Sequence, residues 1–197
     1  MPQLAEERFF PASLSDDVCL IAPILSRNQM HRPSNGFQVQ IGTDLVKIPY
    51  RVYYARSDVA TAIARGGNCG VIAMCLGTRH HNGFFREECV CKLLHVEEPW
   101  IAPYVIQLLG EYVLEIGQVI ERSLSIERTD IYVTYVRENQ SYVETLKRRA
   151  VSYWNEYYRR SFPRWQEFPA CKALSNLLDA VKRSNKSFNP DALKRAG

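Results

Sequence analysis

Between Cys69 and His95 the chain gathers four of its six cysteines and three of its four histidines. These side chains can hold a metal, offer a thiolate, or move a proton near neutral pH. Zinc asks for four tetrahedral ligands, commonly delivered by pairs of cysteines two to four residues apart. The spacings here are Cys69-x5-Cys75, His80-His81 and Cys89-x-Cys91, and none is such a knuckle. On a helix, adjacent residues diverge by about 100° and residues two apart by about 200°, so neither close pair aims both members at one ion. The cysteines therefore read as small apolar fillers of a helix interface. No metal and no other cofactor is expected.

The histidines allow a second chemistry. His80 or His81 could act as acid and base, with Arg79 and Arg86 as clamps for an anion, because arginine forks onto phosphate or carboxylate. Glu111 and Glu115 stand four residues apart in an apolar stretch and could orient such a site or hold a divalent metal. A buried carboxylate there is expected to pair with arginine, and Arg51, Arg79 and Arg86 are the candidates. These residues would make a hydrolase or nuclease. The spacing of arginine and histidine used by HEPN-type ribonucleases is missing, since Arg86 and His95 are too far apart and Arg79 abuts His80. The competing reading is structural: a histidine pair at a helix end satisfies the last carbonyls, and Asn82-Gly83 supplies a left-handed cap.

The first third of the chain reads as extended. Val18–Ala22 is a short apolar run, Phe37–Ile41 alternates apolar and polar, and Leu45–Ile48 follows Gly42-Thr43-Asp44, which together signal a β-hairpin. Arg51–Tyr54 could prolong the second strand beyond Pro49 at an edge or bulge. Ser26–Asn35 reads as a loop. A helix capped by Ser57 or Asp58 should run through Ala64, break at Gly66-Gly67-Asn68, and resume from Cys69 to Arg79. After the turn at His81-Asn82-Gly83, Phe84–His95 reads as its helical partner. Glu97-Glu98-Pro99 opens a core helix expected over Ile101–Leu124, and a last long helix is expected to follow residues 126–130 and end near Arg160, burying Val136, Val143, Leu146, Ala150, Tyr153, Trp154 and Tyr157. Pro163 and Pro169 mark a turn before a short amphipathic helix over Ala170–Lys182. One helix pair of HEAT-like outline does not make a solenoid, which needs about three stacked units.

The fold class is thus α+β, mainly α: a helical bundle carrying a small N-terminal β-hairpin. One domain is expected over residues 1–183, with a β-rich element over about 15–56 and a helical part over 57–183, then a flexible tail at 184–197. Hydrophobic residues make up 46% and charged residues 23%, and no apolar run approaches the roughly 20 residues of a membrane span. The acidic N-terminus lacks the features of a secretory signal, so the chain and its reduced thiols are expected in the cytoplasm.

Charge is uneven. Residues 1–136 carry 12 Lys+Arg against 15 Asp+Glu, and residues 137–197 carry 13 against 6, giving −3 and +7. Lys147, Arg148, Arg149, Arg159, Arg160 and Arg164 interleave with Tyr153, Trp154, Tyr157, Tyr158, Phe162 and Trp165. Such residues neutralise phosphates and stack on bases. The leading expectation is a binding or scaffold protein whose basic C-terminal face meets nucleic acid or an acidic protein surface; the enzyme described above is the alternative. The aromatic residues could equally cover a homodimer interface.

Four segments carry a resemblance: Ile48-Pro49-Tyr50-Arg51-Val52-Tyr53, Thr78–Glu87, Pro99–Ile116 and Val151–Arg159. Together they resemble a family of uncharacterised bacterial proteins across most of residues 45–160. The resemblance implies no activity. It does imply that Arg79, His80, His81, Gly83, Arg86, Glu111 and Glu115 belong to a shared pattern, and that Cys89 and Cys91 are local choices.

Overall fold

Alternating side chains put the hairpin where the sequence expects it. A computed structural model of the chain describes residues 5–26, 31–126 and 130–187. In it β1 (Gly36–Ile41) and β2 (Asp44–Pro49) pair antiparallel, with Val39 opposite Val46. Phe37, Val39, Val46 and Ile48 face the core. No third strand extends the sheet among the described residues. Arg51–Tyr54 contributes only an isolated parallel bridge, Val52 to His80, with the Val52 amide donating to the Arg79 carbonyl at 2.9 Å.

Elsewhere the fold is mainly helical. Val18–Ala22, expected as extended, lies inside α1 (Ser15–Leu25). The five-residue apolar run fits either period, and Val18, Ile21, Ala22 and Leu25 share one buried helical face. The β-rich element expected over 15–56 therefore shrinks to the hairpin. α2 (Arg56–Ile63) starts after Ala55, so Ser57 and Asp58 sit in its first turn and do not cap it. Gly66 and Gly67, both with positive φ, make the turn into α3 (Gly67–Gly77).

α3 and α4 (Gly83–Leu93) form the expected hairpin. They approach so closely that a Cβ on Gly77 would lie 2.3 Å from the Cys89 sulfur. Cys75 and Cys89 are buried there as free thiols, and burial pushes the Cys89 thiol up to about 12. The cap at the turn has the opposite sense from the one expected. Asn82 is extended and accepts from the Phe85 amide at 3.1 Å, making it the N-cap of α4.

The expected helix over 101–124 is broken. A 3-10 turn (Pro99–Ile101), α5 (Ala102–Ile106) and a second 3-10 turn (Gln107–Gly110) lead to an extended Glu111, and α6 (Leu114–Ile126) begins only afterwards. Residues 100–110 are buried on every side, so their apolar spacing carries no phase that could reveal the break. Gly110 packs directly on Leu146, where a Cβ would come within 2.6 Å.

The last long helix is likewise divided. α7 (Asp130–Glu138) and α8 (Gln140–Tyr153) flank Asn139, and a π-helical turn (Trp154–Tyr158) continues α8. Val136, Val143, Leu146 and Ala150 are buried, but Tyr153 and Trp154 are half-buried and Tyr157 is exposed. α9 (Pro169–Ser187) is longer than expected and packs against α6, α7 and α8. The expected tail therefore begins within a helix, and its remainder, 188–197, lies outside the described residues, as do 27–30 of the expected loop and 127–129 of the expected linker. One hydrophobic core runs from Phe9 to Val181.

Candidate functional site

Four elements converge on the Glu111 carboxylate. Arg51 follows β2, Arg79 lies just past α3, Arg86 is in the first turn of α4, and Glu111 is the extended residue ahead of α6. Arg51 is bidentate, Nη1 to Oε1 at 2.8 Å and Nη2 to Oε2 at 3.0 Å. Arg79 Nη1 lies 3.5 Å from Oε1, and Arg86 Nε lies 3.2 Å from Oε2. Arg79 is fully buried, Arg86 and Glu111 nearly so, and the Arg51 side chain is 27% exposed. The expected arginine partners of a buried carboxylate are thus all present on one residue.

Three guanidinium groups against one carboxylate leave a formal charge of +2. Burial brings the Arg79 guanidinium down to about 10, with Glu111 opposing that shift and Arg51 and Arg86 adding to it. Arg86 is lowered for the same reasons, burial first. Arg79 Nη1 and Arg86 Nε, though close to Glu111, lack hydrogen-bonding geometry to any acceptor. Gln107 Nε2 is also buried without an acceptor, while its Oε1 accepts from the Tyr142 hydroxyl. Arg86 also closes the hairpin: its Nη1 donates to the carbonyls of His80 and His81, at 3.0 and 3.1 Å. This is the role sequence reasoning assigned to the histidine rings.

His80 is buried and has both nitrogens engaged. Its Nδ1 accepts from the Asn82 amide at 3.0 Å, and its Nε2 faces the Tyr54 carbonyl at 3.0 Å. An amide can only donate and a carbonyl only accept, so the ring is neutral with the proton on Nε2. Burial lowers the His80 pKa, helped by His81 and Arg86 and opposed by the bond to the Tyr54 carbonyl. His81 is exposed and stacks on Tyr53, ring centres 5.7 Å apart. Glu115 does not join Glu111: the break between the two 3-10 and α6 segments leaves it exposed, outside the cluster. His80, with both ring nitrogens engaged, has no lone pair available to a substrate proton in this arrangement, and Glu111 is tied to Arg51 by two hydrogen bonds. Among the described residues no group of three His, Cys, Asp or Glu side chains could hold a metal ion.

Of the basic C-terminal residues, Arg149 comes nearest this cluster, while Lys147 and Arg148 line a groove against α9. Arg149 sits over the Tyr50 ring, 5.8 Å from its centre, and the Tyr50 carbonyl accepts from Arg51 at 2.6 Å. Four residues along α8, Tyr153 lies 6.0 Å from Tyr112 and 6.4 Å from Tyr157. Tyr112 and Tyr157 are 54% and 63% exposed. The π-helical turn brings Tyr158 round, and its hydroxyl donates to the Tyr112 carbonyl at 2.6 Å. Arg148, Arg159, Arg160 and Arg164 are exposed and Lys147 half-buried, its amine over the Trp165 ring. Arg159 lies over Trp154, and Arg164 is paired with Glu167.

Tyr112 and Tyr50 were missed as surface residues by sequence reasoning. The only local signal for Tyr112 was a large aromatic directly after the Gly110-Glu111 break. Compared with family models, with curated proteins and with solved structures, the chain has no match, so the resemblance drawn from its motifs stands on those residues alone.

Proposed function

We propose that the protein is a binding module for single-stranded nucleic acid, using the face built by Tyr50, Tyr112, α8 and the π-helical turn. One observation carries the reading: a cluster of tyrosines, Tyr112, Tyr153 and Tyr157, of which Tyr112 and Tyr157 are exposed, stands beside Arg149, one turn before Tyr153 on α8. Bases stack on such rings without sequence choice, and arginines neutralise the phosphates between them. π-helical turns also occur preferentially at functional sites, and the charge of +7 over residues 137–197 favours a polyanion. All six cysteines are free thiols, which suits a reducing compartment such as the cytoplasm.

Fluorescence anisotropy with a labelled single-stranded oligonucleotide of about 12 nucleotides tests it. Saturable binding should weaken steeply between about 50 and 200 mM salt. Tyr157→Ala should cost about 1–3 kcal/mol, or roughly 5- to 150-fold in affinity, and Arg149→Ala should weaken binding and flatten the salt slope. Arg56→Ala, which removes the same charge from α2, should change little. Absence of saturable binding at low salt, or equal losses from Arg56→Ala and Arg149→Ala, would reject the proposal.

A further inference from the structure

We infer that the arginine cluster around Glu111 is a seat for one phosphate group, entering past Arg51. The cluster bears +2 in charge, and a phosphate dianion would bring it to neutrality. Glu111 takes two hydrogen bonds, both from Arg51, while Arg79 and Arg86 approach it only as ion pairs. Two buried donors, Arg79 Nη1 and Arg86 Nε, are without an acceptor in bonding geometry. Arg79 is fully buried, so that donor has no recourse to solvent. Leaving a buried charged donor unbonded is costly, and internal charge balance against one carboxylate would need only one arginine.

Entry would be from the Arg51 side. Arg51 is the one partly exposed member, and its neighbours at the surface are Tyr50, under Arg149, and the exposed Tyr112. Glu111 lies on the extended connection between a 3-10 turn and α6, outside any helical hydrogen-bond ladder, so its side chain can yield part of its hold on Arg51 without unwinding a helix. Guanidinium forks suit the paired oxygens of phosphate as well as those of carboxylate. This seat adjoins the stacking face proposed above but does not depend on it.

The test is a titration of the full chain with inorganic phosphate against chloride at matched ionic strength, followed by melting temperature and by the arginine Nε–H signals in nitrogen-15 NMR. Phosphate should raise the melting temperature of the wild type saturably and shift the Arg79 and Arg86 signals. Arg51→Gln should weaken the binding at least about tenfold, through loss of a charge-assisted pair. Glu111→Gln should lower the melting temperature without phosphate and gain more from phosphate than the wild type does. Should that variant fail to fold, the comparison of wild type with Arg51→Gln still decides. A non-saturating effect, or one equal in wild type and Arg51→Gln, overturns the inference. Phosphate that displaces a bound 5′-phosphorylated oligonucleotide in parallel would mark the terminal phosphate of a nucleic acid as the natural source. Phosphate binding that leaves the oligonucleotide in place would mark a free phosphate or small-molecule phosphomonoester.

Discussion

At the scale of single residues, the site is governed by which polar groups can leave water. Glu111 can be buried because three arginines meet it, and His80 can be buried because it is neutral and bonded at both nitrogens. A pH dependence follows for His80. Its folded pKa lies below the ordinary value near 6.5, so around that pH the unfolded chain binds the proton more readily than the native one. The stability from the neutral ring is therefore complete above about pH 6.5 and declines as pH falls through and below it. Chemical denaturation between about pH 8 and 5 should show this loss, and His80→Gln, though less stable, should show a flatter profile over the same window. An unchanged slope in the variant would assign the loss to other groups.

At the scale of elements, breaks in helices position the chemistry. The helix that would have carried Glu111 and Glu115 together ends at Gly110, and the extended residue that follows aims one carboxylate inward. Asn139 performs a matching task between α7 and α8. Its side-chain amide pairs with the backbone of Gln40, accepting from the amide at 2.8 Å and donating to the carbonyl at 2.8 Å, so it continues the hairpin's hydrogen bonding in place of a third strand. It also donates to the Tyr135 carbonyl at 3.0 Å. Asn139→Ala should lower stability by about 1–3 kcal/mol, since the Gln40 amide and carbonyl on β1 are left unsatisfied. Hydrogen exchange should locate the loss, with faster exchange at the Gln40 amide. Full protection of that amide in the variant would show that the pairing is dispensable.

At the scale of the whole molecule, the β-hairpin and the helices share their buried side chains. Phe37 from β1 stacks on Tyr142 of α8, and Phe10, near the N-terminus, stacks on Tyr104 of α5. The core joins these contacts without interruption from Phe9 to Val181. A core of this kind should melt in one cooperative transition. Tryptophan fluorescence, reporting Trp100, Trp154 and Trp165, and far-ultraviolet circular dichroism should then give the same midpoint in urea. Two separated midpoints would mean that the hairpin side and the α9 side fold independently. Among the described residues no helix is long and apolar enough to cross a membrane.

The sequence by itself determined the class of fold, the presence of the hairpin and the α3–α4 pair, because each rests on a local period or turn: alternation in Phe37–Ile41, the glycines at 66 and 67, and Asn82-Gly83. It also pointed to arginine as the partner of a buried glutamate, since burial of a lone carboxylate is too costly. Tertiary structure alone decided that Glu111, not Glu115, is that residue, and that Arg51 from the hairpin reaches it across 60 positions of chain. It also decided where the long apolar stretches break. Wholly buried residues carry no amphipathic phase, and the contacts that end their helices come from distant segments, such as Gln40 against Asn139. The exposure of Tyr112 and Tyr157 escaped the sequence for a related reason: Tyr112 follows the break at Gly110-Glu111 and Tyr157 lies in a π-helical turn, so neither sits on a regular helix.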